Sequence, residues 1–318
     1  MRCLVTGAAG FVGRHLVSHL CESGHRVLGT VHPDLSVSAS ALEGVELVPV
    51  DILDSARLDE AFVRAKPDAV FHLAAFSNPQ DSRHKSRLTL ETNIIGSQNV
   101  LQSSLEHSGE TRVLLVGSAQ QYGRVAERDQ PIEESRALAP LTPYAVSKAS
   151  QELLGRRFFD AEGLPVLMTR SFNHTGPGQS DAYVCSSFAR QVAEIELGRG
   201  EPVMRVGNLA ARRDFTDVRD VASAYTRIVE RGRAGEVYNV CRGEAFSIES
   251  ILEGLRQRAR VEVSIVKDPA RFHALDAPLV LGDNQRLRRD TDWQPAHSLD
   301  ATLGDLLADW RSRLGADA

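Results

Sequence analysis

The sequence predicts an α/β protein: a doubly wound parallel sheet with a smaller, discontinuous C-terminal α/β lobe. Short runs rich in Val, Leu and Ile recur at residues 3–5, 26–30, 45–50, 69–73, 112–117 and 166–169. Amphipathic stretches of helix length separate them. Runs that are apolar on both faces belong in a parallel sheet covered by helices on each side, with right-handed crossovers.

The rhythm changes after about residue 170. Residues 173–179, Asn-His-Thr-Gly-Pro-Gly-Gln, read as loop, and a helix over 184–197 precedes a short strand at 203–206. A helix over 218–231 and a strand at 236–240 resume the first rhythm, so the chain is expected to re-enter the first sheet before finishing outside it. A strand at 261–266 and a last helix over 299–313, with Leu303, Leu306, Leu307 and Trp310 at helical spacing, complete the lobe. The expected division is residues 1–172 and 214–242 for the sheet domain, and 173–213 and 243–318 for the lobe.

At 318 residues, with 42% hydrophobic and 25% charged, the composition is that of a globular protein and excludes disorder as the main state. A net charge of −5 provides no global positive field for nucleic acid or an anionic membrane, so any polyanionic ligand must be held locally. Cys3, Cys21, Cys185 and Cys241 form no C-x-x-C pair, which argues against structural zinc and a secreted disulfide framework and for reduced thiols in the cytoplasm. No signal peptide or membrane span is expected. His15 and His19 stand four apart on the first helix, but no third ligand accompanies them, so no metal is expected. The basic runs at 254–260 and 286–289 lack interleaved aromatics and read as solvated helix faces.

Thr6-Gly7-Ala8-Ala9-Gly10-Phe11-Val12-Gly13 follows the first strand and opens the first helix. Gly7 allows the tight turn, Gly10 lets backbone approach a pyrophosphate, and Gly13 lets helix pack on strand, with the helix N-terminus facing the phosphates. This is the dinucleotide turn of a Rossmann-type sheet. Its G-x-x-G-x-x-G spacing resembles the extended branch of the short-chain dehydrogenase/reductase superfamily. The resemblance assigns Gly7, Gly10, Phe11, Val12 and Gly13 to the cofactor, Asp51 and Ile52 to its adenine, and Leu73, Ala74 and Ala75 to a small-residue stretch against it. Thr30, Val31 and His32 stand where an acidic residue would bond a ribose 2′-hydroxyl. The missing carboxylate favours NADP(H), with NAD(H) the alternative and His32 or Arg14 the phosphate contact.

Pro143-Tyr144-Ala145-Val146-Ser147-Lys148 begins a predicted helix capped by Thr142, so Tyr144 and Lys148 share one face. A cation one turn away is expected to lower the phenol's pKa and make Tyr144 a usable general acid. Ser118, in Val116-Gly117-Ser118-Ala119-Gln120-Gln121-Tyr122-Gly123, resembles the serine of the superfamily's S/T-x-x-x-Y-G segment. The resemblance implies that Ser118 bonds the substrate oxygen beside Tyr144, that Lys148 reaches the nicotinamide ribose, and that Phe172 packs its backbone against the nicotinamide. The related sugar-nucleotide 4,6-dehydratases carry a Glu two positions after this serine. Gln120 stands there instead, and an amide exchanges no proton at useful pKa. Carbonyl reduction, or oxidation followed by re-reduction, is the chemistry left.

Residues 170–178 resemble the R-x-F-N-x-x-G-P segment, in which Asn173 would contact a nucleotide-sugar diphosphate. Residues 212–220 resemble the R-D-F-x-x-V-x-D segment, in which Arg213 would grip the same diphosphate bidentately. Asn93 resembles the superfamily's active-site helix Asn and, with Gln120, completes the expected substrate set. Together with Gly-Glu-Val-Tyr-Asn-Val and Leu-Gly-Asp-Asn-Gln-Arg-Leu-Arg-Arg, these segments look like the GDP-4-keto-6-deoxy-D-mannose reductases, which form GDP-D-rhamnose. A 4-epimerase or dehydrogenase with tightly bound NAD, and a dinucleotide-sensing regulator, are the rival readings. The resemblance also implies a homodimer packed through the helices bearing Asn93 and Tyr144.

Overall fold

Residues 1–35, 42, 44–77, 79–268, 270 and 277–315 are described by a computed structural model. The early apolar runs become strands β1 (Arg2–Thr6), β2 (Arg26–Val31), β3 (Glu46–Pro49), β4 (Ala69–His72), β5 (Arg112–Ser118) and β6 (Val166–Ser171). Three strands follow outside their sheet, β7 (Asn173–Thr175), β8 (Val203–Val206) and β9 (Arg212–Asp217), before β10 (Val237–Val240) returns to pair parallel with β6. The sheet runs β3-β2-β1-β4-β5-β6-β10, with every pairing parallel. Every residue of β4, β6 and β10 is buried, as in strands covered on both faces.

The helices are α1 (Phe11–Glu22), α2 (Ser55–Ala65), α3 (Pro79–His84), α4 (Ser86–Leu90), α5 (Gly96–His107), α6 (Pro143–Glu162), α7 (Val184–Glu196), α8 (Val218–Arg231), α9 (Ile248–Arg256), α10 (Gln285–Thr291) and α11 (Leu299–Leu314). One face of the sheet is sealed by Leu16, Val17 and Leu20 of α1 against Val221, Tyr225 and Ile228 of α8. The other is sealed by Leu58 and Phe62 of α2, Val100 and Leu101 of α5 and Phe158 of α6. A separate core joins Phe188 and Val192 of α7, Ile251 and Leu255 of α9, and Leu306 and Trp310 of α11. Beside it β9 takes β11 (Ala245–Ser247) antiparallel, and β7 and β13 (Leu279–Val280) parallel, while β8 pairs with β12 (Ser264–Lys267).

The expected strand at 261–266 starts later, because only residues 264–267 meet the β8 edge. Between α4 and α5 a π turn, Glu91–Ile95, re-aims the helix at Asn93. The functional consequence of the strand order is its reversal at β1, which lies between β2 and β4. Register places Thr6 beside both Thr30 and His72, so the carboxyl ends of three strands meet at one crevice, where α/β sheets bind ligands.

Candidate active site

Gly7 has φ 72°, and a Cβ there would stand 2.8 Å from the Ala74 nitrogen. A Cβ on Gly13 would stand 2.2 Å from the Gly7 carbonyl oxygen. The turn therefore closes only with glycine at both positions. Gly10 caps α1 without a side-chain bond, and no acidic residue lies in the first turn, so the helix N-terminus keeps free N–H groups and its positive end for an anion. A dinucleotide pyrophosphate fits this cradle. Arg14 lies over it, its Nε donating to Ala9 O at 2.8 Å.

Behind the turn runs a hydrogen-bond chain of one polarity. Ala74 N–H donates to Thr6 Oγ1 (3.2 Å), Thr6 bonds His72 Nδ1 (2.8 Å), His72 Nε2 bonds Ser97 Oγ (2.9 Å), and Ser97 donates to Asn93 O (2.6 Å). Because Ser97 spends its proton on a carbonyl, His72 must carry its own on Nε2 and accept at Nδ1. Burial first, and the Lys148 charge second, push this imidazole down to about 3, so it stays neutral. Leu73 and Ala74 are thereby locked against Gly7. Ala75 is half-buried beyond them.

At the adenine end Ile52 is buried and its side chain packs over Gly96, whereas Asp51 is partly exposed and accepts from Leu53 N–H at 3.0 Å. His32 lies between two carboxylates, Nδ1 3.8 Å from Asp34 and Nε2 3.8 Å from Asp51. Thr30 and Val31 end β2 and His32 follows, as expected, with Asp34 and Asp51 bringing acidic groups to the His32 ring.

Thr142 caps α6 by accepting from Ala145 N–H at 3.1 Å, which sets Tyr144 in the first turn and Lys148 one turn on. The Ser118 hydroxyl is near enough to the Tyr144 phenol to lower its pKa. Lys148 is 3% exposed and donates to Val116 O and Gln151 Oε1, both at 2.8 Å. The expectation that Lys148 lowers the Tyr144 pKa is corrected here. Burial first, and the nearby Tyr183 phenol second, push Tyr144 up to about 12 against the lowering bond from Ser118. Burial pulls Lys148 down to about 7. The physical reason is that the amine is spent on a β5 carbonyl and an amide while the phenol is desolvated. Tyr144 is therefore a firmly protonated donor, the state a general acid needs before it delivers its proton.

Two expected substrate or cofactor contacts, Asn93 and Phe172, are placed otherwise. Asn93 is 1% exposed and wholly committed: it accepts from Phe76 N–H (2.7 Å) and donates to Phe76 O (3.2 Å) and Ser147 Oγ (2.9 Å). It ties the loop after β4 to α6 rather than facing a ligand. The ring of Phe172 is buried with Tyr122, Val125, Ile132 and Cys241, and both its backbone groups are used, by Val240 O and His174 Nδ1. Arg213 lies on β9 with Nη1 on the carbonyls of Arg212 (2.9 Å) and Ala277 (2.7 Å). Asn173 and Gln120 are exposed.

Sequence reasoning passed over Tyr183, Glu152 and the buried role of Arg170. Glu152 could have been found, being one turn beyond Lys148 on α6. Arg170 carried a signal too, since a charge inside an otherwise apolar strand demands a buried partner.

The model of GDP-mannose 4,6 dehydratase matches residues 4–306. The chain belongs to this family. It is thereby an enzyme of the extended short-chain dehydrogenase/reductases. It is 38% identical to the GDP-6-deoxy-D-mannose reductase of Pseudomonas aeruginosa over 317 residues, 98% of each chain. The solved structure of RMD from Pseudomonas aeruginosa complexed with NADPH superposes with a TM-score of 0.85 at 35% identity, covering 98% of this chain and all of that one. The UDP-glucose 4-epimerase of Thermotoga maritima with UDP-glucose gives a TM-score of 0.88 at 26% identity, covering 99% of this chain and all of that one. Within a family named for a dehydratase, this member carries the amide Gln120 two positions after Ser118.

Proposed function

We propose that this enzyme reduces the C4 ketone of a nucleoside-diphosphate 4-keto-6-deoxyhexose with NADPH, converting GDP-4-keto-6-deoxy-D-mannose to GDP-D-rhamnose. The observation that carries the reading is a protonated Tyr144 whose pKa the Ser118 hydroxyl influences, with an amide, not a carboxylic acid, two positions after the serine. The 38% identity to a GDP-6-deoxy-D-mannose reductase supports the choice of sugar and base, and the NADPH complex of the Pseudomonas aeruginosa protein supports the cofactor.

A bound NADPH supplies the hydride. Tyr144 donates its phenolic proton to the oxygen becoming an alkoxide, and Ser118 holds that oxygen by its hydroxyl. Lys148, one turn behind, holds α6 against β5 beside the phenol through its bond to Val116 O. Gly7, Gly10 and Gly13, with Phe11 and Val12, cradle the dinucleotide, and His32 or Arg14 takes its 2′-phosphate. Arg213 and Asn173 orient the sugar diphosphate, so stereochemistry follows from the bound pose.

Residues 1–172 and 214–242 serve as the cofactor domain, and 173–213 and 243–318 as the nucleotide-sugar lobe. Exposed Leu88, Ile95, Val146 and Leu153 on α4, the π turn and α6 form an apolar face suited to a homodimer. Among the described residues no helix is long and apolar enough to cross a membrane. The free cysteines support a cytoplasmic setting.

The test is to supply NADPH and GDP-4-keto-6-deoxy-D-mannose. Stoichiometric loss of NADPH with formation of a 6-deoxyhexose, identified by NMR, is expected. Interconversion of C4 epimers without net cofactor loss would replace this reading with a 4-epimerase.

A further inference from the structure

Ser118 is held by a single side chain buried directly behind it. Gln121 is fully buried; its Oε1 accepts the Ser118 main-chain N–H at 2.8 Å and its Nε2 donates to Glu152 Oε2 at 2.7 Å. Glu152 in turn takes Arg170 Nε on the same oxygen (2.9 Å) and Arg170 Nη2 on the other (2.7 Å). Arg170 spends Nη1 on Glu134 O at 3.0 Å, and its guanidinium lies 4.8 Å from the Tyr122 ring centre. The path is built closely: a Cβ on Gly117 would stand 2.5 Å from Gln121 Oε1.

The chemistry fixes which way the carboxamide faces. The Glu152 carboxylate only accepts, so it takes the amide N–H, and the amide oxygen is left for Ser118. On the other side of the turn Gln120 N–H occupies the acceptor face of Ser118 Oγ at 3.2 Å. With its backbone N–H held by Gln121 and Oγ accepting from Gln120 N–H, the serine is fixed in place and its hydroxyl proton is left free to donate.

We propose that Gln121 is a positioning residue for the reduction: it transmits the rigidity of the buried Glu152–Arg170 pair to Ser118 and so aims the hydroxyl that receives the substrate ketone. This rests on the reading of Ser118 as the ketone-binding hydroxyl. It explains why a neutral amide is needed between a backbone donor and a carboxylate, a place where neither a hydrocarbon nor a second carboxylate makes both bonds.

The experiment measures kcat and the NADPH KM of the parent, Gln121→Leu and Gln121→Glu across about pH 6 to pH 8.5. Gln121→Leu is expected to lose about thirtyfold in kcat with the NADPH KM within about twofold, the scale of a misplaced reacting group. Gln121→Glu puts a second carboxyl against Glu152 beside Arg170, Glu134 and Tyr122. When protonated it donates to Glu152 as the amide did, and when ionised it repels it. Its kcat relative to the parent should therefore rise about tenfold or more as pH falls across the range. A ratio flat with pH, or a Gln121→Leu kcat within about twofold of the parent, overturns the proposal. If Gln121→Leu does not fold, the pH dependence of Gln121→Glu decides alone. A parent that reduces no 4-ketosugar counts against the proposed function instead. Gln121 is then judged by absorbance titration of Tyr144, taken as the difference from Tyr144→Phe: a higher phenol midpoint in the Gln121 variants supports the tie to Ser118, and an unmoved one refutes it.

Discussion

The Lys148 ammonium donates to the carbonyl of Val116, two residues before Ser118, at 2.8 Å. Helix α6 and strand β5 are thus joined at the chemical centre by the charged group itself, in a setting where burial lowers its pKa to about 7. Lys148 is cationic below that value and neutral above it. If reduction needs the ammonium that ties α6 to β5, kcat should fall as pH rises through about 7 and that proton is lost. Lys148→Met should remove that alkaline limb and lower kcat by about a hundredfold; pH profiles of both proteins check it.

Tyr144→Phe removes the proton donor and keeps the ring. Turnover should fall by about a hundredfold to ten-thousandfold, with NADPH affinity within about twofold of the parent. Steady-state kinetics and fluorescence titration of NADPH separate the two effects.

Gln120→Glu places a carboxylate beside Ser118, the hydroxyl proposed to bind the ketone. Reduction should persist, and the carbon next to the ketone, C5, should begin to exchange its hydrogen with solvent. Deuterium incorporation during turnover in heavy water, read by NMR, measures this gain; no incorporation above the parent's refutes it.

Gly13→Ala must move either α1 or the Gly7 carbonyl, since the new methyl would start 2.2 Å from that oxygen. A stability loss of about 1–3 kcal/mol is expected, as for other overpacked sites. Thermal melting measures it, and NADPH binding should weaken in the same variant.

The parts of this site that were legible are those written in short spacings. The glycine turn lies within one β-α junction, and Tyr144 with Lys148 lies within one helical turn, so local geometry alone sets them together. The return of β10 was readable from its apolar composition and position after a helix. What was not readable depends on partners far along the chain. Gln121 meets Glu152 only because β5 and α6 pack side by side, and Asn93 turns inward because a π turn rotates it toward Phe76. The effect of Lys148 on the Tyr144 pKa was misjudged for the same reason: spacing placed the amine near the phenol but could not show the Val116 carbonyl that claims it. Strands β11 and β13 are three and two residues long and carry no periodic signal.

The late arrival of β10 also governs how the molecule can be made. While a ribosome is still translating the segment before Val237, β6 has no neighbour on its outer side, and the stretch Met168–Ser171 offers bare amides and carbonyls to whatever strand passes. Nascent chains halted there would be sticky, and expression of the first 172 residues alone, tempting because most of the recognisable motifs lie within them, would produce an aggregating fragment rather than a working half.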